Sequence, residues 1–216
     1  MSDIYQRIYD RKRMAAAEAM SLIENGDFIC VPTGVGEPPT LLTALSEQRR
    51  NFHGVTVGQI LPLRKYAYID PETVDHVRHL AFFFGGATRP GGNEGWIDYL
   101  PSYFSEMPSL IRNRQLRVDA VFSMASPMDE HGFFALSLAT DYTMAAVSMA
   151  RAVILEVNPN VPFTNGNCHV HISQVAGLVE SEEPILEVSL PKIGAVQQAI
   201  GEYVTDIIDD GSTLQI

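Results

Sequence analysis

The sequence predicts an α/β domain with a largely parallel sheet flanked by helices. Three observations carry that expectation. Segments of strand composition alternate along the chain with segments of helical periodicity. Leu80–Phe84, Val118–Ala125 and Ala152–Val157 are nearly continuous apolar runs, the pattern of strands buried on both faces. A helix end, a Gly stop and a strand at Leu22–Val31 return in pattern at Ile207–Ile216, with Gly26 falling on Gly211, Ile29 on Leu214 and Val31 on Ile216. The first copy runs on into a Gly-rich loop and the second does not. The expected organisation is therefore one α/β domain over residues 1–195, then a helix and first strand over 196–216 leading into a missing second, homologous domain.

Residues 3–25 read as helix, with Ala15–Ala19 a strong helix-forming run and Gly26 the stop. Phe28–Val31 is a short buried strand. The loop 32–37 follows, and Pro38 stands where a helix starts, with Leu41, Leu42 and Leu45 as its apolar face. Val55–Leu61 is the next strand. Asp70-Pro71-Glu72 signals a helix start with Asp70 as N-cap. His76 and His79, one helical turn apart, are expected on a partly exposed helix face. After the strand Leu80–Phe84, residues 85–95 hold Gly85, Gly86, Pro90, Gly91, Gly92 and Gly95 and read as a long loop. Tyr103–Ile111 resumes a helical pattern despite Pro108.

Val118–Ala125 is a strand, Ser126–Gly132 a compact turn, and Phe133–Leu138 pairs out of it. Asp141 caps a helix running through Met149. Ala152–Val157 is a strand and Asn158–Pro162 a rigid turn. Cys168–Val175 and the segment near Leu186–Leu190 look extended. Val196, Ile200, Val204 and Ile207 mark one face of a last helix. The loops 32–37, 85–95 and 126–132 all follow strands, so they are candidates to meet along the carboxyl edge of the sheet.

At 46% hydrophobic and 19% charged, the chain fills a core and is not disordered. A formal net charge of -11 argues against nucleic acid as a partner but leaves room for a small anionic substrate in a locally positive pocket. The two cysteines, Cys30 and Cys168, form no disulfide framework and suit a reducing, cytoplasmic compartment. No uninterrupted apolar run approaches the roughly 20 residues that span a bilayer. Neither a membrane nor a secretory route is expected.

The turn Gly34-Val35-Gly36-Glu37 lets backbone approach a ligand and places helix N–H groups near an anion; the alternative is a purely structural tight turn. It is not a dinucleotide fingerprint, because Glu-Pro-Pro follows. Thr88-Arg89 in its Gly-rich loop is a candidate carboxylate or phosphate clamp, or an ordinary surface loop. His131 is a structural turn residue or an acid–base site. His169 and His171 alternate on one strand beside Cys168, but no convergent set of metal ligands is evident. Gly-x-Ser-x-Gly, P-loop and Cys-x-x-Cys motifs are absent from the sequence.

Several of these segments together resemble a known family. Gly34–Pro38, Gly85-Gly86-Ala87-Thr88-Arg89, Ser126-Pro127-Met128-Asp129-Glu130-His131-Gly132, Asp141-Tyr142-Thr143, Val157–Pro162 and Ile200-Gly201-Glu202 through Asp210-Gly211-Ser212-Thr213-Leu214-Gln215-Ile216 resemble, in order and spacing, the amino-terminal half of the acetyl-CoA hydrolase/transferase family. That family includes the 4-hydroxybutyrate CoA-transferases, among the family I CoA-transferases.

The resemblance implies two similar α/β domains and a glutamate nucleophile in the second, beyond residue 216. That glutamate attacks an acyl-CoA to give a mixed anhydride. The CoA thiolate returns to form a glutamyl-CoA thioester, and a second carboxylate accepts the CoA. No catalytic residue is then expected in this chain. Gly34, Val35, Gly36, Glu37, Thr88 and Arg89 are the substrate-binding candidates. No permanently bound cofactor and no metal is implied, and coenzyme A enters as substrate. The implied partners are an acyl-CoA, a small carboxylate, the missing carboxy-terminal domain and, in the complete protein, further copies of itself in a homo-oligomer. One departure is Phe163-Thr164 where the family carries Arg before Thr, which suits a more apolar neighbour. The enzyme reading is a CoA-transferase acting on a small acid such as 4-hydroxybutyrate, the chain alone being inactive. The alternatives are an acyl-CoA hydrolase of the same family and a non-catalytic binding domain derived from the fold.

Overall fold

A computed structural model describes residues 3–187 and 189–215. The chain divides into two compact units, Met1–Ile185 and Leu186–Ile216.

In the first unit the elements run α1 (Asp3–Lys12), α2 (Ala16–Ala19), β1 (Phe28–Cys30), α3 (Pro39–Gln48), β2 (Val55–Gln59), β3 (Val77–Ala81), α4 (Arg89–Glu94) and β4 (Asp98–Tyr99). Then come α5 (Met107–Arg112), β5 (Ala120–Ala125), β6 (Phe133–Ala135), α6 (Thr143–Met149), β7 (Ala152–Val157), β8 (His169–His171) and β9 (Gly177–Glu180). Seven strands form one sheet in the order β4-β3-β2-β1-β5-β7-β9. Every pairing in it is parallel. β6 and β8 form a separate antiparallel ribbon.

The chain builds outward from β1 to β4, then returns to lay β5 on the other side of β1. The strand order reverses there, and such a switch point opens a crevice outside the carboxyl ends of the strands. All six residues of β5 and of β7 are buried. Their side chains alternate between two cores: Val121, Ala125, Val153, Leu155 and Val157 face one, and Ala120, Phe122, Ala152 and Ile154 face the other. A strand with a hydrophobic core on each side shows no apolar–polar alternation, which is why these runs are continuous in sequence.

Several boundaries differ from the sequence reading. The amino-terminal helix breaks at residues 13–15, where Arg13 bridges to Leu178 and the Met14 N–H donates to the Leu178 carbonyl at 2.9 Å. The open edge of β9 captures this backbone and interrupts the helix. β9 itself was not anticipated. The extended segment expected near Leu186–Leu190 forms no strand at residues 186, 187, 189 and 190, and Val188 lies outside the described residues.

The strand expected at Leu80–Phe84 starts and ends earlier, at Val77–Ala81, because it pairs with β2 from Val55↔Val77 to Gln59↔Ala81 and its partner stops there. Phe83 is consequently 54% exposed rather than buried. His79 is not on a helix: it points inward from β3, and Tyr68 lies against it. Residues 89–94 are α4, not loop. Side chains pack close over Gly91 and Gly92, where a Cβ would meet the end of Ile97 at 2.6 Å and the Phe84 ring at 2.4 Å. Asp70-Pro71-Glu72 yields only a 3-10 turn, with the Asp70 carboxylate accepting the Glu72 N–H at 2.8 Å.

The second unit contains α7 (Ala195–Thr205), with Val196, Ile200, Tyr203 and Val204 exposed. Gly211, which the internal repeat set beneath Gly26, has φ +83°, and Gly26 has φ +80°. Each is the third residue of a four-residue turn, closed by Asp27 N–H to the Glu24 carbonyl at 3.2 Å and by Ser212 N–H to the Asp209 carbonyl at 3.1 Å. Neither is the helix stop expected from the sequence, because the preceding helical segments end at Ile23 and Asp206. Residues 212–215 form no strand, and Ile216 lies outside the described residues.

Candidate substrate-binding edge

The loops after β1, β2, β3 and β5 all leave the same edge of the sheet, because those strands are parallel. After β1 the chain makes a 3-10 turn over Gly34–Gly36, with Gly34 at φ +57°. Thr33, Gly34 and Val35 are half-buried, and Gly36 and Glu37 are buried. Gly36 has no room for a side chain: a Cβ would lie 2.9 Å from both the Ala139 Cβ and the Leu138 carbonyl oxygen. The loops after β1 and β6 therefore touch backbone to backbone.

Most of the N–H groups that this turn could offer an anion are spent within the protein. Gly34 donates to Leu61, Gly36 to Thr33 and Glu37 to Gly34, at 3.0, 3.3 and 3.2 Å. Thr33 donates to the Asp141 carboxylate at 2.8 Å. The next residue, Tyr142, donates its hydroxyl to the Val31 carbonyl at 2.6 Å and accepts the Ile60 N–H at 3.3 Å. Asp141 and Tyr142 thus hold the ends of β1 and β2 at fixed spacing. Burial pushes the Tyr142 hydroxyl well above its ordinary pKa, with the neighbouring Cys30 and Asp141 adding to the effect.

The Glu37 carboxylate is taken up by internal donors. It accepts from Gln59 Nε2 at 3.1 Å, the Leu63 N–H at 3.2 Å and the Tyr66 hydroxyl at 3.1 Å. Desolvation raises its pKa, and these donors and nearby Arg64 oppose the rise. It ties the β2–β3 connection to the start of α3. A second buried carboxylate, Glu156 in β7, escaped the sequence reading. It accepts from the Thr40 N–H at 2.8 Å, the Thr40 hydroxyl at 2.8 Å and the Leu41 N–H at 3.1 Å. It thereby caps the first turn of α3 from a neighbouring strand. Desolvation raises its pKa as well. The available signal was a lone acid inside the apolar run Ala152–Val157, since buried carboxylates are rare unless paired.

A cavity of about 300 Å³ opens at the same edge. Thr33, Ile60, Phe82 and Phe83, from the loops after β1, β2 and β3, form one wall, and Ser102, Phe104 and Met107, after β4, form the other. Tyr142 lies behind it, with ring centroids 5.7 Å from Phe82 and 6.3 Å from Phe104. No side chain in the lining is ionisable. Its aromatic residues escaped the sequence reading because Phe82 and Phe83 were assigned to a strand interior.

The remaining candidates lie elsewhere. Thr88 is fully buried, and its hydroxyl accepts the Gly85 N–H at 3.1 Å, so it holds its own turn. Arg89 is exposed and donates to the Phe84 carbonyl at 3.3 Å. Neither lines the cavity. His131 is exposed at the tip of its turn, 3.6 Å from Glu130. The turn is tied by Asp129, whose carboxylate accepts the N–H groups of His131 at 2.9 Å and Phe133 at 2.7 Å. His169 and His171 sit in an aromatic row with Phe163, Phe133 and Tyr5. Among the described residues no three His, Cys, Asp or Glu side chains gather as metal ligands. No helix among them is long and apolar enough to cross a membrane.

Residues 2–189 match the model of the acetyl-CoA hydrolase/transferase N-terminal domain. The chain is 38% identical over 212 residues to the succinyl-CoA:cyclohexane-1-carboxylate CoA transferase of Geobacter metallireducens, covering 98% of this chain and 48% of that protein. It is 38% identical over 212 residues to the 4-hydroxybutyrate coenzyme A transferase of Clostridium kluyveri, covering 98% and 49%. Among solved structures, RipA from Yersinia pestis superposes with a TM-score of 0.89 at 28% identity, over 98% of this chain and 51% of that one. A 4-hydroxybutyrate CoA-transferase from Porphyromonas gingivalis gives 0.81 at 27% identity, over 97% and 49%. The chain spans about half the length of the curated relatives it matches.

Proposed function

The chain belongs to the acetyl-CoA hydrolase/transferase family, and from that premise we propose that it is the amino-terminal half of a CoA-transferase. The complete protein moves CoA between acetyl-CoA, or another acyl-CoA, and a small carboxylic acid; 4-hydroxybutyrate is the acid named for one relative. In this reading residues 1–195 form the first domain and 196–216 lead into a second, homologous one. The complete protein is a cytoplasmic homo-oligomer.

One observation carries the reading. The cavity at the carboxyl edge can hold an acyl chain but contains no nucleophile of its own. Its only hydroxyls are those of Thr33 and Ser102, and Ser102 donates to the Met107 sulfur at 3.0 Å rather than to a base. Glu37 is consumed by three internal donors. In this reading the nucleophile comes from outside the chain, a glutamate beyond residue 216. Its carboxylate attacks the thioester carbonyl and CoA thiolate leaves, giving a mixed anhydride. The thiolate then attacks the glutamyl carbonyl and the first acid leaves as its carboxylate. The acceptor carboxylate repeats the two exchanges in reverse order. This half contributes the wall around the acyl group. The Gly34–Glu37 turn forms part of its frame, with Thr33–Val35 as the accessible stretch. Thr88 supports the adjoining loop, and Arg89 offers an exposed cation at its end.

The test is intact-protein mass spectrometry of the longer native product and of the 216-residue chain, each incubated with acetyl-CoA. A covalent CoA adduct on a glutamate beyond residue 216, and none on the short chain, is expected. Turnover by the short chain alone would overturn the proposal. Release of free acid and CoA without transfer to any carboxylate would identify a hydrolase.

A further inference from the structure

The edge cavity also carries information about which acid is used. Resting on the transferase reading for its biological meaning, we propose that the site selects a monocarboxylic acid with a compact apolar body, a carbocycle or a branched chain, over dicarboxylic and hydroxy acids.

The argument is the chemistry of the wall. Ile60, Phe82, Phe83, Phe104 and Met107 present hydrocarbon, aromatic faces and a thioether. Only two polar side chains line it. Ser102 gives its proton to Met107, and Thr33 is held by Asp141 through its backbone N–H, not through its hydroxyl. A second carboxylate, as in succinate, would enter without a cation to meet it. The terminal hydroxyl of 4-hydroxybutyrate would give up water for the hydroxyls of Thr33 and Ser102, the latter as an acceptor alone. Either substituent loses hydration without full compensation. A saturated ring loses none and gains contact with three phenyl groups. At about 300 Å³ the cavity is at the small end for ligand sites, which favours a body of ring size over a long chain. The reacting carboxylate is assigned to the side of Thr33, which is both a lining residue and the entry to the Gly34–Gly36 turn.

The shape of the cavity is held from behind by buried groups. Tyr142 sets the spacing of the β1 and β2 ends and meets Phe82 and Phe104 edge-on. Preference therefore follows from a pre-formed wall rather than from a loop that closes on the ligand.

The test reads binding directly and does not need turnover. Saturation-transfer NMR on the 216-residue chain would compare cyclohexanecarboxylate, succinate and 4-hydroxybutyrate. Cyclohexanecarboxylate should bind about tenfold tighter than either of the others. Phe104→Arg should remove that preference and raise the affinity for succinate. Phe104 is 56% exposed and Phe83 54%, so Phe83→Arg provides a second variant with the same expected shift, each checked for native fold by circular dichroism. Equal or tighter binding of succinate or 4-hydroxybutyrate would overturn the inference, as would binding of no acid. If the ring acid binds but the longer native product transfers CoA to none of the three, the selectivity stands and the transferase reading fails.

Discussion

The backbone N–H of Thr33 donates to the carboxylate of Asp141 at 2.8 Å, across 108 residues of sequence. The other oxygen of the same carboxylate accepts the Thr143 N–H at 2.8 Å, at the start of α6. One side chain therefore caps a helix and pins the loop that borders the edge cavity.

Asp141→Ala should lower stability by about 2–3 kcal/mol, because it strands two backbone donors that a charged acceptor now satisfies. Asp141→Asn, which keeps one acceptor oxygen, should cost less. Urea denaturation of the two variants orders them, and equal stability of wild type and Asp141→Ala would refute the clamp.

Gly36→Ala should be destabilising although Gly36 is not in the left-handed region. The added methyl would meet a backbone oxygen and a Cβ at 2.9 Å, and neither is the end of a flexible chain that can swing aside. Overpacking of this kind costs about 1–3 kcal/mol. It should also shift the amide resonances of Leu138 and Ala139, which would stay in place if the two loops were not in contact.

Glu156→Gln should destabilise the fold by about 2 kcal/mol at neutral pH, since the amide NH₂ would face the donors of Thr40 and Leu41. The pH dependence has a definite sign. Folded Glu156 binds its proton more tightly than the unfolded chain does. The stability from its titration is therefore fully present below the ordinary Glu pKa of 4.5 and lost as pH rises through the higher folded value. Glu37 shifts in the same direction. Carboxyl-carbon NMR titration should show both above the exposed glutamates, and their coincidence with that group would contradict the burial argument.

His79 should act in the opposite direction. It is buried in β3, its Nε2 has no hydrogen-bond partner among the described residues, and burial lowers its pKa from 6.5 to about 4. A depressed folded value gives stability that is complete above pH 6.5 and lost as pH falls toward 4, in total on the order of 3 kcal/mol. His79→Phe keeps a ring against Tyr68 and should flatten the slope in that window. Wild type and variant with parallel stability–pH curves would refute it.

Much of the fold was legible in the sequence because its central strands carry their environment in their composition. Ala120–Ala125 and Ala152–Val157 are apolar on both faces and found cores on both faces. Gly26 and Gly211 were paired by pattern alone and share one backbone conformation. Where the reading slipped, a partner element decided the outcome. β9 captured the backbone at Met14 and broke the first helix. Past the end of β2, where the Gln59 carbonyl accepts the Phe82 N–H at 3.0 Å, Phe82 and Phe83 become cavity wall.

The same division holds for the site. Local composition and motif order carry the α/β class, the parallel sheet with Gly-rich loops at its carboxyl edge, and the family resemblance. The directions of the side chains come from the folded arrangement. It turned Glu37 and Thr88 inward, left Arg89 and His131 on the surface, and set Asp141 and Tyr142 behind the first loop. A side chain's role depends on the donors and acceptors it meets, 22 to 29 residues away for Glu37 and 108 and 111 residues away for Asp141 and Tyr142. Those encounters are set by strand order and register, which local sequence does not encode.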